Sequence, residues 1–141
     1  MYTIAIIGYG GMGGWHAKQL LSLPEEFRLA GIYDINPERI EAAEKDGIHG
    51  YPTLDALLSD PEIRTVILAV PNNFHKPLSI QAMRAGKNVI CEKPVMMNAA
   101  ELEKVIAVSK ETGRQFSAHQ NRRWDKDFLM VKKLIEDGSI G

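Results

Sequence analysis

Apolar residues along this chain come in short unbroken runs, each followed by a stretch in which they recur every three or four positions. Tyr2–Ile7 is the first run, and its continuity predicts a strand of a buried parallel sheet. Helix-compatible sequence follows, carrying Trp15, Ala17, Leu20 and Leu21. The second run, 29–33, leads to Asn36-Pro37, a capping residue with proline at the first helical position. Ile40 and Ala43 then face inward until Gly47 closes the turn. Residues 48–51 predict a brief third strand of edge type. Thr53 caps a short helix with Leu54, Leu57 and Leu58, which Asp60-Pro61 ends.

The next run, 65–70, is β-branched and apolar throughout, as the centre of a sheet covered on both faces requires, and it stops at Pro71-Asn72-Asn73. Helical spacing over 75–85 puts Leu78, Ala82 and Ala85 on one face, with Gly86 just past the end. Asn88–Cys91 is the fifth predicted strand. Asn98 and Glu101 have capping-box spacing before a helix whose Leu102, Val105 and Ile106 face the sheet until Gly113. Residues 115–119 predict a sixth strand. Asp125 then caps a last helix, with Phe128, Val131, Leu134 and Ile135 inward and Gly138 at its end. Strands alternating with helices over short connections predict an α/β fold, a doubly wound parallel sheet. Ligands of such sheets sit outside the carboxyl ends of the strands at the switch in strand order, so the loop after Val70 is expected to border one.

The break after the first run is Gly8-Tyr9-Gly10-Gly11-Met12-Gly13, a G-x-G-x-x-G between a strand and a helix. Gly8 suits the tight turn, Gly10 close backbone approach to a pyrophosphate, and Gly13 close helix–strand packing. The helix start adds free N–H groups and a positive dipole end. Such spacing alone also fits an ordinary turn. Asp34, at the end of the second run, lies 21 positions after Gly13, near the offset at which an acid meets the adenosine ribose. A carboxylate there accepts from ribose hydroxyls and repels a 2′-phosphate. NAD is therefore expected over NADP, although Arg39 leaves NADP open.

Composition changes this picture little. The chain has 141 residues, 45% hydrophobic and 25% charged, enough for one domain with a core. A net charge of −1 without basic runs gives no reason to expect nucleic acid or an anionic membrane as partner. Cys91 is the one cysteine, which excludes an internal disulfide and fits a reducing compartment. No stretch is long and apolar enough to span a bilayer, and the apolar start lacks the basic flank and cleavage pattern of a signal peptide, so a cytoplasmic location is expected. Four histidines, scattered in sequence, suggest no metal constellation.

Several longer motifs stand in a fixed order: Gly8 to Gly13 with His16, Asp34, Val70-Pro-Asn-Asn-Phe-His75, Ala85-Gly-Lys-Asn-Val-Ile-Cys-Glu-Lys-Pro94, and Gln120-Asn-Arg-Arg-Trp124. With them the chain resembles the glucose-fructose oxidoreductase, inositol dehydrogenase and MocA-like family, whose N-terminal half is a Rossmann domain. The resemblance implies hydride transfer between nicotinamide and a sugar, cyclitol or polyol. It implies that Lys93 lies beside the nicotinamide and the reacting hydroxyl, where an ammonium can stabilise a developing alkoxide and relay a proton. The cofactor surface it implies takes in the glycine turn with Tyr9, Gly11 and Met12, then Asp34 with Ile35 and Arg39, and the loop Val70, Pro71 and Asn72. Glu92 is expected as a neighbour of the cofactor or of Lys93, and Pro94 as the site of a cis Lys93–Pro94 bond. Asn121 and Arg123 fall where the family approaches nicotinamide and substrate, with Trp124 as an apolar wall; Arg122 and Arg123 also fit a solvated pair. His75 fits a cofactor contact or a packing role, His16 fits packing or hydrogen bonding, and His49 and His119 have no partner pattern.

Family members are about twice this length or more, because a second α+β domain follows. The chain is thus expected to be a fragment: residues 1–120 a dinucleotide-binding domain, and 121–141 a connecting segment and helix leading to the absent domain. That domain would bring a second acid/base group, most substrate contacts and a homo-oligomer interface. The fragment alone is expected to bind NAD without useful turnover. Some members bind dinucleotide only as regulators of transcription; Lys93 in an intact motif favours the enzyme.

Overall fold

The computed structural model describes residues 1–140. Tyr2–Ile7 (β1), Phe27–Tyr33 (β2), Thr65–Leu68 (β3), Asn88–Cys91 (β4) and Phe116–Ala118 (β5) form one parallel sheet in the order β2-β1-β3-β4-β5. The order reverses between β1 and β3, so these two strands flank the switch point of a Rossmann sheet.

Alternate residues of the strands feed two cores. Ile4, Ile6, Ile32 and Ile67 pack under Ala17 and Leu20 of Gly11–Leu21 (α1) and Ala43 of Pro37–Lys45 (α2). On the opposite face Ala5, Ile7, Val66, Leu68, Val89 and Cys91 pack under Leu54–Ser59 (α3), His75–Arg84 (α4) and Ala99–Thr112 (α5). All four residues of β3 are buried, as a central strand covered on both sides must be. The predicted caps form: Asn36 accepts from the Glu38 amide, Thr53 from that of Ala56, and Asn98 from that of Glu101. Lys87, inside the alanine-glycine-lysine motif, is itself buried and donates to the carbonyls of Asp60 and Ile63 at 2.6 and 3.0 Å. That lysine holds a loop, whatever else the motif does.

The structure corrects several expectations. Residues 48–51 form no strand. Gly50 makes an isolated bridge to Ile32, held by the Ile32 amide on His49 and the Tyr51 amide on the Ile32 carbonyl, and Pro52 has no N–H with which to extend the ladder. The sheet therefore has five strands, not six. In α4 the buried stripe is His75, Ser79, Ala82 and Met83, while Ala85 lies past the helix end and is exposed. In α5 it is Val105 and Val108 with half-buried Leu102; Ile106, about 100° further round the helix than Val105, is exposed. Asp125 does not cap Lys126–Glu136 (α6), because its carboxylate is taken by Arg122 at 2.7 Å. Nor do Phe128, Val131 and Ile135 point into a core: all are exposed, Leu134 is only half-buried, and α6 belongs to neither apolar cluster.

Candidate functional site

Between the carboxyl ends of β1 and β3 lies a crevice of about 360 Å³ lined by Gly8, Asp34, Ile35, Arg39, Val70 and Pro71, with Leu54, Phe74 and Leu78 on its apolar side. Gly8 turns the chain with φ of 93°, a conformation that favours glycine, and a Cβ there would lie 2.4 Å from the Ala69 carbonyl oxygen. At Gly13 a Cβ would lie 2.0 Å from the Gly8 carbonyl oxygen, so α1 can rest on the turn only through bare backbone. Gly10 and Gly11 differ. A Cβ at Gly10 would meet nothing nearer than Arg39 Nη1 at 3.7 Å, and at Gly11 nothing within 4 Å. Their smallness leaves open space over the start of α1, where helix N–H groups lack intrahelical acceptors.

Asp34 stands one residue past β2 and is almost fully buried. Its carboxylate accepts from the amides of Tyr9 at 2.7 Å and Asn36 at 2.8 Å, and Arg39 Nη1 stands 3.2 Å away. Burial pushes this carboxyl up, but the two amides and the guanidinium outweigh it and hold it below the ordinary carboxylate range. The acid is thus an anion locked to the glycine turn, with the half-exposed Arg39 across it.

Across the switch point, Asn72 begins a short 3₁₀ turn, Asn72–Phe74, that runs into α4. Its amide donates to Met97 Sδ at 3.1 Å, while Oδ1 is buried without a partner among the described residues. His75 does not face the crevice. Buried to 1% exposure, it has Nε2 2.9 Å from the Val70 carbonyl and Nδ1 2.9 Å from that of Pro94, tying the loops after β3 and β4 together.

Past β4 the chain makes the Glu92-Lys93-Pro94 turn, and the Lys93–Pro94 bond is cis, as expected. Lys93 and Pro94 are exposed, whereas Glu92 is buried. Glu92 Oε1 lies 2.7 Å from His16 Nε2 and 2.9 Å from His119 Nδ1, and Oε2 accepts from the Lys93 amide at 3.2 Å. Burial raises the Glu92 carboxyl, but these partners outweigh it and keep it an anion. Burial lowers His16, which Glu92 only partly offsets, so this imidazole is neutral and donates through Nε2.

Histidines scattered in sequence are therefore gathered in space, and Glu92, His16 and His119 are the one trio of possible metal ligands among the described residues. Tetrahedral ligands of zinc at about 2.05 Å stand about 3.3 Å apart. Glu92 Oε1 stands nearer than that to both rings, as a hydrogen-bond partner does. His119 is the residue the sequence reading missed. Its signal was positional: it lies one residue past β5, as Glu92 lies past β4 and Asp34 past β2.

Asn121 and Arg123 are not brought to the Asp34 crevice. They line a separate open depression of about 920 Å³ on the α1 side of the sheet, with Trp15, Ile90, His119 and Trp124.

Comparison with known proteins agrees with this geometry. The sequence profile of an oxidoreductase family with an NAD-binding Rossmann fold, GFO_IDH_MocA, matches residues 2–120. This chain belongs to that family. It is 34% identical over 139 residues to the scyllo-inositol 2-dehydrogenase (NADP(+)) IolW of Bacillus subtilis, covering 97% of this chain and 38% of the relative. It is 33% identical over 140 residues to the myo-inositol 2-dehydrogenase of Thermotoga maritima, covering 98% and 42%. Among solved structures, an NAD-binding protein from Listeria innocua superposes with a TM-score of 0.94 at 42% identity, covering 99% of this chain and 41% of that one. The chain thus spans about two fifths of the length of these relatives. Among the described residues no helix of the chain is long and apolar enough to cross a membrane.

Proposed function

We propose that this chain is the nucleotide-binding part, with its boundary near residue 120, of an NAD(P)-dependent oxidoreductase acting on a CH–OH group of a sugar, cyclitol or polyol, and that NAD is preferred. The observation that carries the reading is the pairing of open backbone at Gly10 and Gly11 with a locked anionic Asp34 just past the neighbouring strand.

The residues fit a dinucleotide. Amides at the start of α1, from Gly11 to Gly13, would hold the diphosphate, with Tyr9 at the turn. Asp34 would accept from the adenosine ribose hydroxyls, with Ile35 and Arg39 bordering the base. Val70, Pro71 and Asn72 would wall the middle of the cofactor, and His75 would support them from behind. When bound, the nicotinamide supplies the hydride acceptor for the alcohol carbon. Lys93, exposed at the carboxyl end of β4, would take the catalytic part, its ammonium steadying negative charge on the substrate oxygen and passing a proton. Asn121 and Arg123 would belong to the substrate side. The substrate class follows from relatives named for inositol oxidation, and a homo-oligomer would form through parts of the protein outside this chain.

NAD is preferred because a 2′-phosphate would meet the Asp34 carboxylate. Arg39 lies close enough to soften that rejection, and one relative is named for NADP(+). Titrating the fluorescence of NADH and NADPH tests the reading. NADH binding at least about tenfold tighter supports it, tighter NADPH binding overturns the preference, and binding of neither overturns the whole. Release of NADH from NAD with scyllo- or myo-inositol by the full-length protein tests the reaction.

A further inference from the structure

Three elements that sequence keeps far apart meet on one buried carboxylate. His16 comes from the middle of α1, Glu92 from the end of β4 and His119 from just beyond β5, and the two imidazoles pack edge to face with centroids 4.7 Å apart. One carboxylate oxygen accepts from both rings, while the other accepts from the backbone N–H of Lys93. Trp15 closes the outer side, its ring 5.2 Å from His16 and 6.1 Å from His119. We propose that His16 and His119 are positioning residues that fix Glu92, and through it the Lys93 turn, against the helix that starts at the glycine turn.

This rests on the nucleotide-binding reading and extends it. A carboxylate held by a single donor can rotate about its last two torsions, and the Lys93 amide bonded to it would follow. Two ring N–H donors from separate elements remove that freedom. Charge-assisted hydrogen bonds to a buried carboxylate are strong, and each lost donor leaves negative charge less well solvated. The helix whose first turn would meet the diphosphate therefore carries, one and a half turns on, the donor that sets the lysine turn. Neither histidine needs to touch cofactor or substrate. A displacement of the lysine by about 1 Å is enough to lower turnover on the order of a hundredfold.

Donor geometry separates positioning from packing. Asparagine presents its N–H₂ where Nδ1 of histidine stands, and glutamine presents one where Nε2 stands. His119→Asn and His16→Gln thus keep the hydrogen bond, whereas His119→Phe and His16→Phe keep the aromatic packing alone. In the full-length protein, trinitrobenzenesulfonate labelling of Lys93 is followed by mass spectrometry with and without NADH, beside NADH affinity by fluorescence. Protection of Lys93 by saturating NADH is expected in the wild type and the donor-keeping variants. It is expected to fall at least about fivefold in the Phe variants, while their NADH affinity changes less than about threefold. Unchanged protection in the Phe variants, or equal loss in His119→Asn and His119→Phe, overturns the positioning role. Absence of NADH binding to the wild type overturns the nucleotide reading itself. If His16→Phe does not fold, His119→Phe, at the partly exposed rim, carries the same expectation.

Discussion

The Tyr9 amide and the Asp34 carboxylate stand 2.7 Å apart, a hydrogen bond between the glycine turn after β1 and the acid that follows β2. Asn36 holds the other oxygen at 2.8 Å. The residue that would choose between cofactors is thus also a strut of the turn that would hold them. Replacing it has two consequences that can be told apart.

Asp34→Ala removes the charge that would repel a 2′-phosphate and frees Arg39 from its partner. Charge-assisted hydrogen bonds of roughly 1.5–3 kcal/mol convert to about tenfold to hundredfold weaker NADH binding. NADPH binding should hold or improve, so the affinity ratio moves towards NADPH by at least about tenfold in a fluorescence titration. Asp34→Asn keeps an acceptor for the Tyr9 amide and should change the ratio while losing less stability. Equal losses for both cofactors would mean that the acid only supports the turn.

The glycines divide into those that pack and those that leave room. Gly13→Ala would put a methyl group 2.0 Å from the Gly8 carbonyl oxygen, a contact that only backbone movement relieves. Overpacking of this kind costs roughly 1–3 kcal/mol, readable as a lower urea midpoint without any ligand. Gly11→Ala, with nothing within 4 Å, should leave the midpoint unchanged or raise it by up to about 1 kcal/mol, since alanine favours helix. Its cost should appear instead as weaker NADH binding.

What the sequence allowed to be read follows from how local each signal is. β1, its glycine turn and α1 were legible because a continuous apolar run, a φ-demanding glycine and a helix start are all written in adjacent residues. The caps at Asn36, Thr53 and Asn98 were legible for the same reason. The 48–51 segment has strand composition, but strandedness is decided by neighbours, and Pro52 limits it to one bridge. Asp125 looked like a cap until Arg122, three residues earlier, competed for the same carboxylate. His16, Glu92 and His119 meet only through the sheet order β1-β3-β4-β5, which no local spacing encodes.

The last helix gives a test in stability. Its apolar residues carry a 3.6-residue period, yet they join neither apolar core of the described residues: Phe128 is 43% and Ile135 57% exposed. Phe128→Ala should therefore change the urea midpoint of this chain by less than about 0.5 kcal/mol. Val105→Ala in α5, at 0% exposure, should cost roughly 1.5–3 kcal/mol by loss of buried methyl groups. Similar costs at the two positions would show that α6 folds against a core after all.

Stability should fall on acidification in two steps, the first belonging to His16. Burial keeps this imidazole below its ordinary 6.5, so just under that pH the unfolded chain binds more protons than the folded one. The contribution is whole above about pH 6.5 and is lost as pH drops towards the folded value. Glu92 and Asp34, held below their ordinary 4.5 and 3.8, act in the same sense, and their contribution is lost only as pH falls below those values. Urea midpoints should stay level from about pH 8 to 7, decline as the pH falls below about 6.5, and decline again below about pH 4.5. His16→Gln keeps the donor to Glu92 but cannot titrate, so it should flatten the first step and leave the second. A first step of unchanged size in His16→Gln would assign that proton to another histidine and remove the neutral imidazole from the account of Glu92.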